Sequence, residues 1–396
     1  MPKGLKYLII VGDGMADYPV EEAGGKTPLQ LAYKPNMDYI AGRSRMGMLR
    51  TLRPDLPKGS DIANLIILGY DPYVCYTGRG PLEAAARRIR VEDDEVVFRC
   101  NLITVEGGRI LDYSGEHVTT DEARLLISVL NDRLNELGRF HAGVSYRNLF
   151  ISKIGEGLKA TPPHDIVGEK YEEHMLKPLN EDSRRLNEMM LKSISILSEN
   201  PVNTRRINSG KRPANMVWIW GQGRMPRLEP FSEKHGLKGT VISAVDLIKG
   251  IGWLAGMVVP EVPGATGYYD TNYENKALYA VKALEDCDFV YLHVEAPDEA
   301  GHEGSFKTKV RVIEEMDRRL IGRILDNISV EEVSISILID HPTPVSVRNH
   351  TVDPVPFAIM KPGAEGDGKP FDEDSGSEGS FNLVDGMDFI KILKEA

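Results

Sequence analysis

Several stretches of the chain are mostly apolar and lack a regular alternation of apolar and polar positions along their whole length. The clearest cover residues 7–11, 240–245, 288–294, 334–339 and 355–360. Alternation is typical of a sheet with one face in water, so mostly apolar runs predict strands that are buried on both faces, as in a parallel sheet.

Amphipathic segments separate these runs. Residues 272–284 and 307–328 repeat apolar side chains at helical spacing and carry charges on the opposite face. Because strands alternate with helices, the pattern predicts an α/β fold with a doubly wound, mostly parallel sheet.

The middle of the chain has a different pattern. Glu106-Gly107-Gly108 lies between apolar runs and predicts a hairpin of residues 96–103 and 109–113, followed by helices at 119–137 and 181–198. We therefore predict an inserted α+β domain at 75–233, within a first domain formed by 1–74 and 234–396. Residues 362–380 are rich in glycine, serine and acids, which predicts a mobile surface loop before a closing helix from about residue 384.

The composition is that of a globular protein with a substantial core, since 41% of the 396 residues are apolar and 27% are charged. Asp and Glu exceed Lys and Arg by 59 to 48, and the net charge of −11 disfavours nucleic acid and anionic lipid as partners. No apolar run reaches the about 18 residues of a membrane span, and the first run is too short for a secretion signal. Three scattered cysteines form neither a disulfide framework nor a CxxC metal site, so we predict a cytoplasmic protein.

Carboxylates and imidazoles follow three of the predicted strands. They are Asp13 after the first strand, Asp298 and His302 after the run at 288–294, and Asp340 and His341 after the run at 334–339, with His350 further on. Ligands bind at the carboxyl ends of the strands in open α/β sheets, so these residues are expected at one edge. Carboxylate and imidazole without thiolate suit Mn²⁺, Zn²⁺ or Mg²⁺, and the number of groups suffices for two ions.

A nucleophile candidate is Ser60, which precedes an amphipathic helix beginning at Asp61-Ile62. Its position indicates a helix N-cap worth about 1 kcal/mol, and spacing alone favours that structural role. The alternative is a nucleophile, because the N-terminus of a helix stabilises anionic charge and a metal would lower the pKa of the hydroxyl.

A set of motifs connects these residues to a known family. They are Gly12-Asp13-Gly14, Gly59-Ser60-Asp61-Ile62-Ala63-Asn64, Tyr76-Thr77-Gly78-Arg79-Gly80-Pro81, Thr161-Pro162-Pro163-His164-Asp165, Trp220-Gly221-Gln222-Gly223, Pro297-Asp298 with His302, Asp340-His341-Pro342-Thr343-Pro344, and His350. Together they resemble the alkaline phosphatase superfamily and, more narrowly, the archaeal-type cofactor-independent (2,3-bisphosphoglycerate-independent) phosphoglycerate mutases. The resemblance covers essentially the whole chain.

The resemblance implies a set of roles for individual residues. Asp298, His302 and His350 would bind one divalent ion, while Asp13, Ser60, Asp340 and His341 would bind the other, with Ser60 as the phosphorylated nucleophile. Mn²⁺ is the expected ion, with Zn²⁺, Co²⁺ or Mg²⁺ as alternatives, and 2,3-bisphosphoglycerate is not expected to be needed.

The inserted domain is expected to hold the substrate. The matches to phosphoglycerate contacts are His117, Arg147 and Lys249, together with Arg79, His164, Asp165 and Arg224. Of these, Arg147 is the main candidate for binding the glycerate carboxylate, because a planar guanidinium can bind it through two donors.

The implied activity is the interconversion of 3-phosphoglycerate and 2-phosphoglycerate through a phosphoserine, in glycolysis and gluconeogenesis, with glycerate retained between the domains. The alternative is a metal-dependent phosphatase or a phosphopentomutase on the same fold, since fold does not decide the substrate. A small-molecule kinase is less favoured because no GxxxxGK[ST] motif occurs. The pattern leaves open whether the chain forms a homo-oligomer.

Overall fold

The computed structural model describes residues 4–395. The strands are β1 (Lys6–Gly12), β2 (Arg45–Arg50), β3 (Val96–Glu106), β4 (Arg109–Asp112), β5 (Gly138–Val144), β6 (Arg147–Ser152), β7 (Met216–Gly223), β8 (Gly239–Ile242), β9 (Phe289–Val294), β10 (Val333–Ile339), β11 (Val355–Met360) and β12 (Leu383–Asp385). The helices are α1 (Pro28–Leu31), α2 (Pro35–Ala41), α3 (Ser60–Ile67), α4 (Pro72–Cys75), α5 (Arg79–Ala86), α6 (Thr120–Arg133), α7 (Glu181–Ser198), α8 (Pro201–Asn208), α9 (Phe231–His235), α10 (Asp246–Leu254), α11 (Tyr273–Asp286), α12 (Ala296–Glu303), α13 (Phe306–Met316), α14 (Gly322–Leu325), α15 (Glu373–Ser377) and α16 (Phe389–Glu395).

The chain divides into two compact units. The first consists of Met1–Tyr76 and Arg227–Ala396, and the second is Thr77–Pro226. Helix α9 therefore belongs to the first unit, although it lies inside the segment 75–233 that the sequence pattern assigns to the insertion.

The first unit is built on a seven-stranded sheet in the order β12-β2-β11-β10-β1-β9-β8. Strands β10, β1, β9 and β8 are mutually parallel, and all of their residues except Lys6 are buried. Helix α11 packs on β1, β8 and β9, and α2 packs on β10 and β11. The predicted α/β class with a mostly parallel sheet is confirmed.

The predicted direction of one strand is wrong. Strand β11 pairs antiparallel with both β10 and β2, whereas its apolar run was expected to be parallel. All six of its residues are buried. Burial on both faces produces the same uninterrupted apolar pattern in either orientation, so the sequence pattern does not encode direction.

Three other predictions need correction. The segment 362–380 is not a mobile surface loop, because it contains α15 and a fully buried Phe371. The helix predicted over 307–328 is interrupted by a π-helical turn at Asp317–Ile321, where the Asp317 carboxylate accepts hydrogen bonds from the backbone of Asn36 and Met37. The helix predicted over 119–137 ends at Arg133, because β5 begins at Gly138.

The second unit is an antiparallel sheet with helices. The strand order is β4-β3-β6-β5. Strand β7 also pairs with β3, along the same stretch as β6 and on the opposite edge of β3. The predicted hairpin joins β3 to β4, and α6 begins with a capping box in which Thr119 and Glu122 exchange hydrogen bonds with the backbone. One face of β3 contributes Phe98, Cys100 and Leu102 to the apolar core of this unit. Among residues 4–395, no helix is long and apolar enough to cross a membrane.

Candidate metal centre and catalytic serine

The register of the parallel strands brings three acidic residues to one edge of the first sheet. Gly12 at the end of β1 pairs with Val294 of β9 and with Ile339 of β10. The next residues along the three chains are Asp13, Glu295 and Asp340, which are all buried. Backbone pairing between the strands therefore brings these residues together at the edge predicted for the site.

The first group of predicted ligands lies together at this edge. Ser60 Oγ is 3.1 Å from His341 Nε2 and 3.4 Å from Asp13 Oδ1. His341 Nε2 is 3.4 Å from Asp13 Oδ1 and 3.8 Å from Asp340 Oδ2. One ligand atom from each of Asp13, Asp340 and His341 lies within 4.8 Å of the others, which is close enough for a shared cation.

The second group is equally compact. Asp298 Oδ2 is 3.2 Å from His302 Nε2, and Asp298 Oδ1 is 3.6 Å from His350 Nε2. The rings of His341 and His350 lie 4.1 Å apart, so the two groups are neighbours. The structure thus brings together all seven residues that the sequence pattern and the resemblance assigned to metal binding.

The hydrogen bonds of His302 and His350 decide which ring nitrogens are available to a metal. Nδ1 of His302 faces the carbonyl of Arg348 at 3.1 Å, and Nδ1 of His350 faces the carbonyl of Lys58 at 3.2 Å. A carbonyl only accepts, so each Nδ1 donates and each neutral ring leaves its lone pair on Nε2. These two Nε2 atoms are 3.0 Å apart, an arrangement that suits two ligands of one cation.

His341 is oriented by a threonine. Thr343 Oγ1 donates its proton to Asp298 and therefore accepts from His341 Nδ1, which lies 3.3 Å away. This leaves the lone pair of His341 on Nε2, the atom that faces Ser60 and Asp13. Burial lowers the pKa of His341 to about 4, which keeps the ring neutral at physiological pH.

The charges at this edge also fit a cation. Burial raises the pKa of Asp13 well above its usual value, and the neighbouring carboxylates of Asp340 and Asp298 raise it further. Asp298 raises the pKa of His302 to about 9, so a proton and a metal ion would compete for Nε2. Crowded buried carboxylates with imidazole lone pairs are the donor set of Mn²⁺ or Zn²⁺. The residues fit divalent metal ions.

Ser60 is not the helix cap that its spacing predicts. It is the first residue of α3, and Gly59, the residue at the N-cap, makes no side-chain cap bond. The Ser60 hydroxyl instead faces Asp13 and His341. The position nevertheless places this hydroxyl at the positive end of the helix dipole, as the nucleophile alternative requires.

Sequence reasoning missed a buried network behind the ligands. His293 Nε2 is 3.6 Å from Asp13 Oδ2 and 3.4 Å from Asp340 Oδ2, and its Nδ1 is 3.4 Å from Glu295 Oε1. Lys276 donates to Glu295 Oε2 at 2.6 Å, and neither Lys276 nor His293 is exposed. The available signal was a histidine inside the otherwise apolar strand β9.

Several predicted substrate residues belong to the second unit. His164 and Arg147 line one cavity in it, and the ring of His117 is 6.4 Å from that of Tyr146, another lining residue. Asp165 pairs with His164 at 3.7 Å. The second unit therefore collects polar groups from three separate predicted motifs.

The other predicted contacts have different surroundings. Arg79 is the first residue of α5. Arg224 pairs with Glu156 at 2.5 Å on the surface of the second unit, and Lys249 of the first unit pairs with Glu261 at 2.7 Å. Neither Arg224 nor Lys249 lines the cavity that contains Arg147.

Comparison with known proteins identifies the class of protein that carries this site. A model of the Metalloenzyme superfamily matches residues 5–395, so the chain is a member of that superfamily. This agrees with the donor set at the edge of the first sheet.

Individual relatives narrow the assignment. The chain is 49% identical over 399 residues to the 2,3-bisphosphoglycerate-independent phosphoglycerate mutase of Methanosarcina barkeri, covering 99% of this chain and 100% of the relative. It is 50% identical over 395 residues to 2,3-bisphosphoglycerate-independent phosphoglycerate mutase 2 of Methanothermobacter thermautotrophicus, covering 99% and 98%. The chain therefore belongs to the family of 2,3-bisphosphoglycerate-independent phosphoglycerate mutases.

Solved structures agree with this assignment. A protein from Pyrococcus horikoshii is 34% identical with a TM-score of 0.85, covering 99% of this chain and 97% of that one. The cofactor-independent phosphoglycerate mutase of Thermoplasma acidophilum is 27% identical with a TM-score of 0.67, and the match covers 99% of both chains.

Proposed function

We propose that this protein is an isomerase that interconverts 3-phosphoglycerate and 2-phosphoglycerate, as part of glycolysis and gluconeogenesis, with Ser60 as the phosphorylated nucleophile. The observation that carries the proposal is the position of Ser60 Oγ, 3.1 Å from His341 Nε2 and 3.4 Å from Asp13 Oδ1 at the start of α3. The full-length similarity to phosphoglycerate mutases supports the substrate.

The reaction needs no co-reactant. In the first half, a bond forms between Ser60 Oγ and phosphorus while the bond from phosphorus to the substrate oxygen breaks. The proton that Ser60 loses is balanced by the proton that the released glycerate hydroxyl gains. In the second half, a bond forms between the other glycerate hydroxyl oxygen and phosphorus while the bond between phosphorus and Ser60 Oγ breaks, and the proton that this hydroxyl loses is balanced by the proton that Ser60 regains.

Two divalent ions, with Mn²⁺ as the expected species, would be held by the two ligand groups. One set is Asp298, His302 and His350, and the other is Asp13, Ser60, Asp340 and His341. When bound, such ions supply positive charge that stabilises phosphoryl oxygens and lowers the pKa of a nearby hydroxyl. The N-terminus of α3 adds the positive end of its dipole at the same point.

The chain's own residues keep the site in the form that this chemistry requires. Asn64 donates to Asp340 Oδ2 at 2.9 Å, and the backbone of Gly14 and His341 donates to Asp340 Oδ1 at 3.1 and 2.9 Å. Thr343 fixes the lone pair of His341 on Nε2. The ligand side chains are thus held in place by hydrogen bonds from neighbouring residues.

The test separates the mutase from a phosphatase on the same fold. Chelated protein is reloaded with Mn²⁺ and given 3-phosphoglycerate without nucleotide or bisphosphoglycerate, and both 2-phosphoglycerate and free phosphate are followed. We expect 2-phosphoglycerate as the main product, no activity after chelation, and labelled phosphate on Ser60 in quenched enzyme. Free phosphate as the main product would favour the phosphatase alternative. Full activity in protein whose metal content is verified as nil would exclude the proposed metal centre.

A further inference from the structure

Strand β9 places two polar side chains behind the candidate metal ligands. Tyr291 and His293 lie two positions apart, so they face the same side of the sheet, and both are fully buried. Tyr291 donates to Asn64 Oδ1, and Asn64 Nδ2 donates to Asp340 Oδ2 at 2.9 Å. His293 Nε2 contacts Asp340 Oδ2 directly, at 3.4 Å. The strand therefore supports the Asp340 carboxylate through two separate side chains.

The two oxygens of Asp13 have different neighbours, and His293 is one of them. Asp13 Oδ2 lies 3.6 Å from His293 Nε2. Asp13 Oδ1 lies 3.4 Å from Ser60 Oγ and 3.4 Å from His341 Nε2. A carboxylate held by His293 at Oδ2 therefore presents Oδ1 to Ser60 and His341, on the side where these groups could share a cation.

The ring of His293 is held through its other nitrogen as well. Nδ1 lies 3.4 Å from Glu295 Oε1. Carboxylate oxygens only accept hydrogen bonds, so Nδ1 donates to Glu295 and Nε2 donates to Asp340. Because both nitrogens carry protons, the ring has no lone pair for a metal ion. His293 is thus suited to hold metal ligands and not to be one.

Glu295 is itself fixed by donors from the turn after β8 and from α11. Its Oε1 accepts from Ser243 Oγ at 2.7 Å and from the backbone N–H groups of Ala244 and Val245 at 3.0 and 3.2 Å. Its Oε2 accepts from Lys276 Nζ at 2.6 Å. Lys276 is fully buried, so this ion pair lies inside the protein. A buried carboxylate with all of these donors is a fixed support for the imidazole beside it.

We propose that His293 is a positioning residue of the metal centre, which holds the carboxylates of Asp13 and Asp340 in the orientation that serves the ion beside Ser60. This inference rests on the proposed function, because it takes Asp13 and Asp340 as metal ligands. His293 acts through these two carboxylates and contacts neither substrate nor metal. Glu295 in turn fixes the orientation of the His293 ring.

Two variants of the full-length protein separate the roles of the two ring nitrogens. His293→Gln keeps an amide N–H near the position of Nε2, which can donate to Asp340, and loses the donor to Glu295. His293→Asn keeps an amide N–H near the position of Nδ1, which can donate to Glu295, and loses the donor to Asp340. Both side chains are amides, so a difference between them reports the position of the donor. His235→Gln is the matched control, because His235 is a partly buried histidine of the same unit whose ring faces the carbonyl of Leu68 at 3.0 Å.

Calorimetry on metal-free protein measures the affinity for Mn²⁺ and the number of ions bound. Hydrogen exchange of peptides from β1 and β10, also without metal, measures how much each substitution destabilises the first sheet. We expect His293→Asn to bind one of two Mn²⁺ ions about 10- to 100-fold more weakly than wild type, which is the usual effect of removing a group that orients a metal ligand. His293→Gln is expected to retain more of the affinity than His293→Asn, and His235→Gln to bind Mn²⁺ as wild type does.

Two results would overturn the inference. The first is an unchanged Mn²⁺ affinity in folded His293→Asn. The second is an equal loss of affinity in His293→Asn and His293→Gln, because a loss that does not depend on the position of the donor comes from packing of the side chain.

The outcomes also separate this inference from the proposed function. If Asp340→Asn loses one Mn²⁺ ion while His293→Asn binds both as wild type does, only the role of His293 is wrong. If Asp340→Asn binds Mn²⁺ as wild type does, the assignment of the metal ligands is wrong and the inference fails with it. If the variants rank as expected but wild-type protein forms no 2-phosphoglycerate from 3-phosphoglycerate, the positioning role stands and the proposed reaction is wrong.

Discussion

The buried lysine of α13 offers a quantitative test of how the edge that carries the candidate metal ligands is held together. Lys309 is fully buried, and its Nζ donates to Asp17 Oδ2 at 2.8 Å, to the carbonyl of Ala16 at 3.1 Å and to the carbonyl of Thr343 at 2.9 Å. All three ammonium protons are thus used. The acceptors lie just beyond β1 and β10, the strands that are followed by Asp13 and Asp340.

Replacing Lys309 with Met should be costly. It removes three hydrogen bonds and leaves the buried Asp17 carboxylate without its cation, although the backbone of Tyr18 and Val345 still donates to Asp17. Breaking a buried ion pair on one side costs about 3–5 kcal/mol. The double variant Lys309→Met with Asp17→Asn should recover most of this loss, because no unpaired charge is left.

The assay must report on the first unit alone, since a chain of two units need not unfold in one step. Hydrogen exchange at increasing urea concentration, read by mass spectrometry on peptides from β1 and β10, gives that report, and peptides from β3 and β6 serve as an internal reference. The matched control is Lys307→Met, an exposed lysine two residues earlier on the same helix. We expect the unfolding free energy to fall in Lys309→Met and not in Lys307→Met, and only for peptides from the first unit. We also expect Lys309→Met to bind Mn²⁺ more weakly.

Two results would refute this reasoning. If Lys309→Met lowers the unfolding free energy by less than about 1 kcal/mol, removing the ion pair costs no more than an average point substitution. If the double variant Lys309→Met with Asp17→Asn is no more stable than Lys309→Met, the cost comes from lost packing of the lysine side chain and not from an Asp17 carboxylate left without its cation.

Three further predictions concern the same unit. Ser60→Ala should abolish 2-phosphoglycerate formation yet change the unfolding free energy by less than about 0.5 kcal/mol, because the hydroxyl caps no helix; normal turnover would exclude the phosphoserine. Thr343→Val should weaken Mn²⁺ binding in calorimetry by about 10- to 100-fold, because the hydroxyl joins His341 to Asp298; an unchanged affinity would contradict this role. Burial raises the pKa of Glu373 from 4.5 to about 7, so the folded state holds this proton more tightly and stability falls as pH rises from about 4.5 through 7. Glu373→Gln should remove that fall and raise the unfolding free energy at pH 8 by up to about 3 kcal/mol relative to wild type. If the unfolding free energy changes between pH 5 and pH 8 by the same amount in variant and wild type, this prediction is wrong.

Local sequence patterns were enough to establish the class of fold and to place the candidate metal ligands at one edge of the sheet. Mostly apolar runs predicted the buried strands because burial on both faces favours apolar side chains, and this preference does not depend on which distant segments pack there. Asp13, Asp340 and His341 could be placed at one edge because each follows such a strand directly. The rule that ligands gather at carboxyl ends needs only the strand positions.

Tertiary structure alone decided what depends on partners distant in the chain. The direction of β11 is defined by its pairing with β10 and β2. An apolar run has the same pattern in a parallel and in an antiparallel strand, so the sequence does not show this direction. Ser60 has the spacing of a cap, and only the approach of Asp13 and His341 turns its hydroxyl away from the helix. The folded segment 362–380 likewise looked like a loop, because the groups that hold it lie far away in sequence, as Asp17 and Thr27 do for Glu373.

His293 and Arg99 show the limit most clearly. Each is a polar residue inside an apolar strand, which indicates a buried partner but not which one. His293 meets Asp13 and Asp340 because β9 lies beside β1, and Arg99 meets Glu83 and Trp220 because α5 and β7 pack against β3. A periodic pattern records whether a side chain is buried, whereas the identity of the charge or ring beside it is set by pairing between segments that the local pattern does not contain.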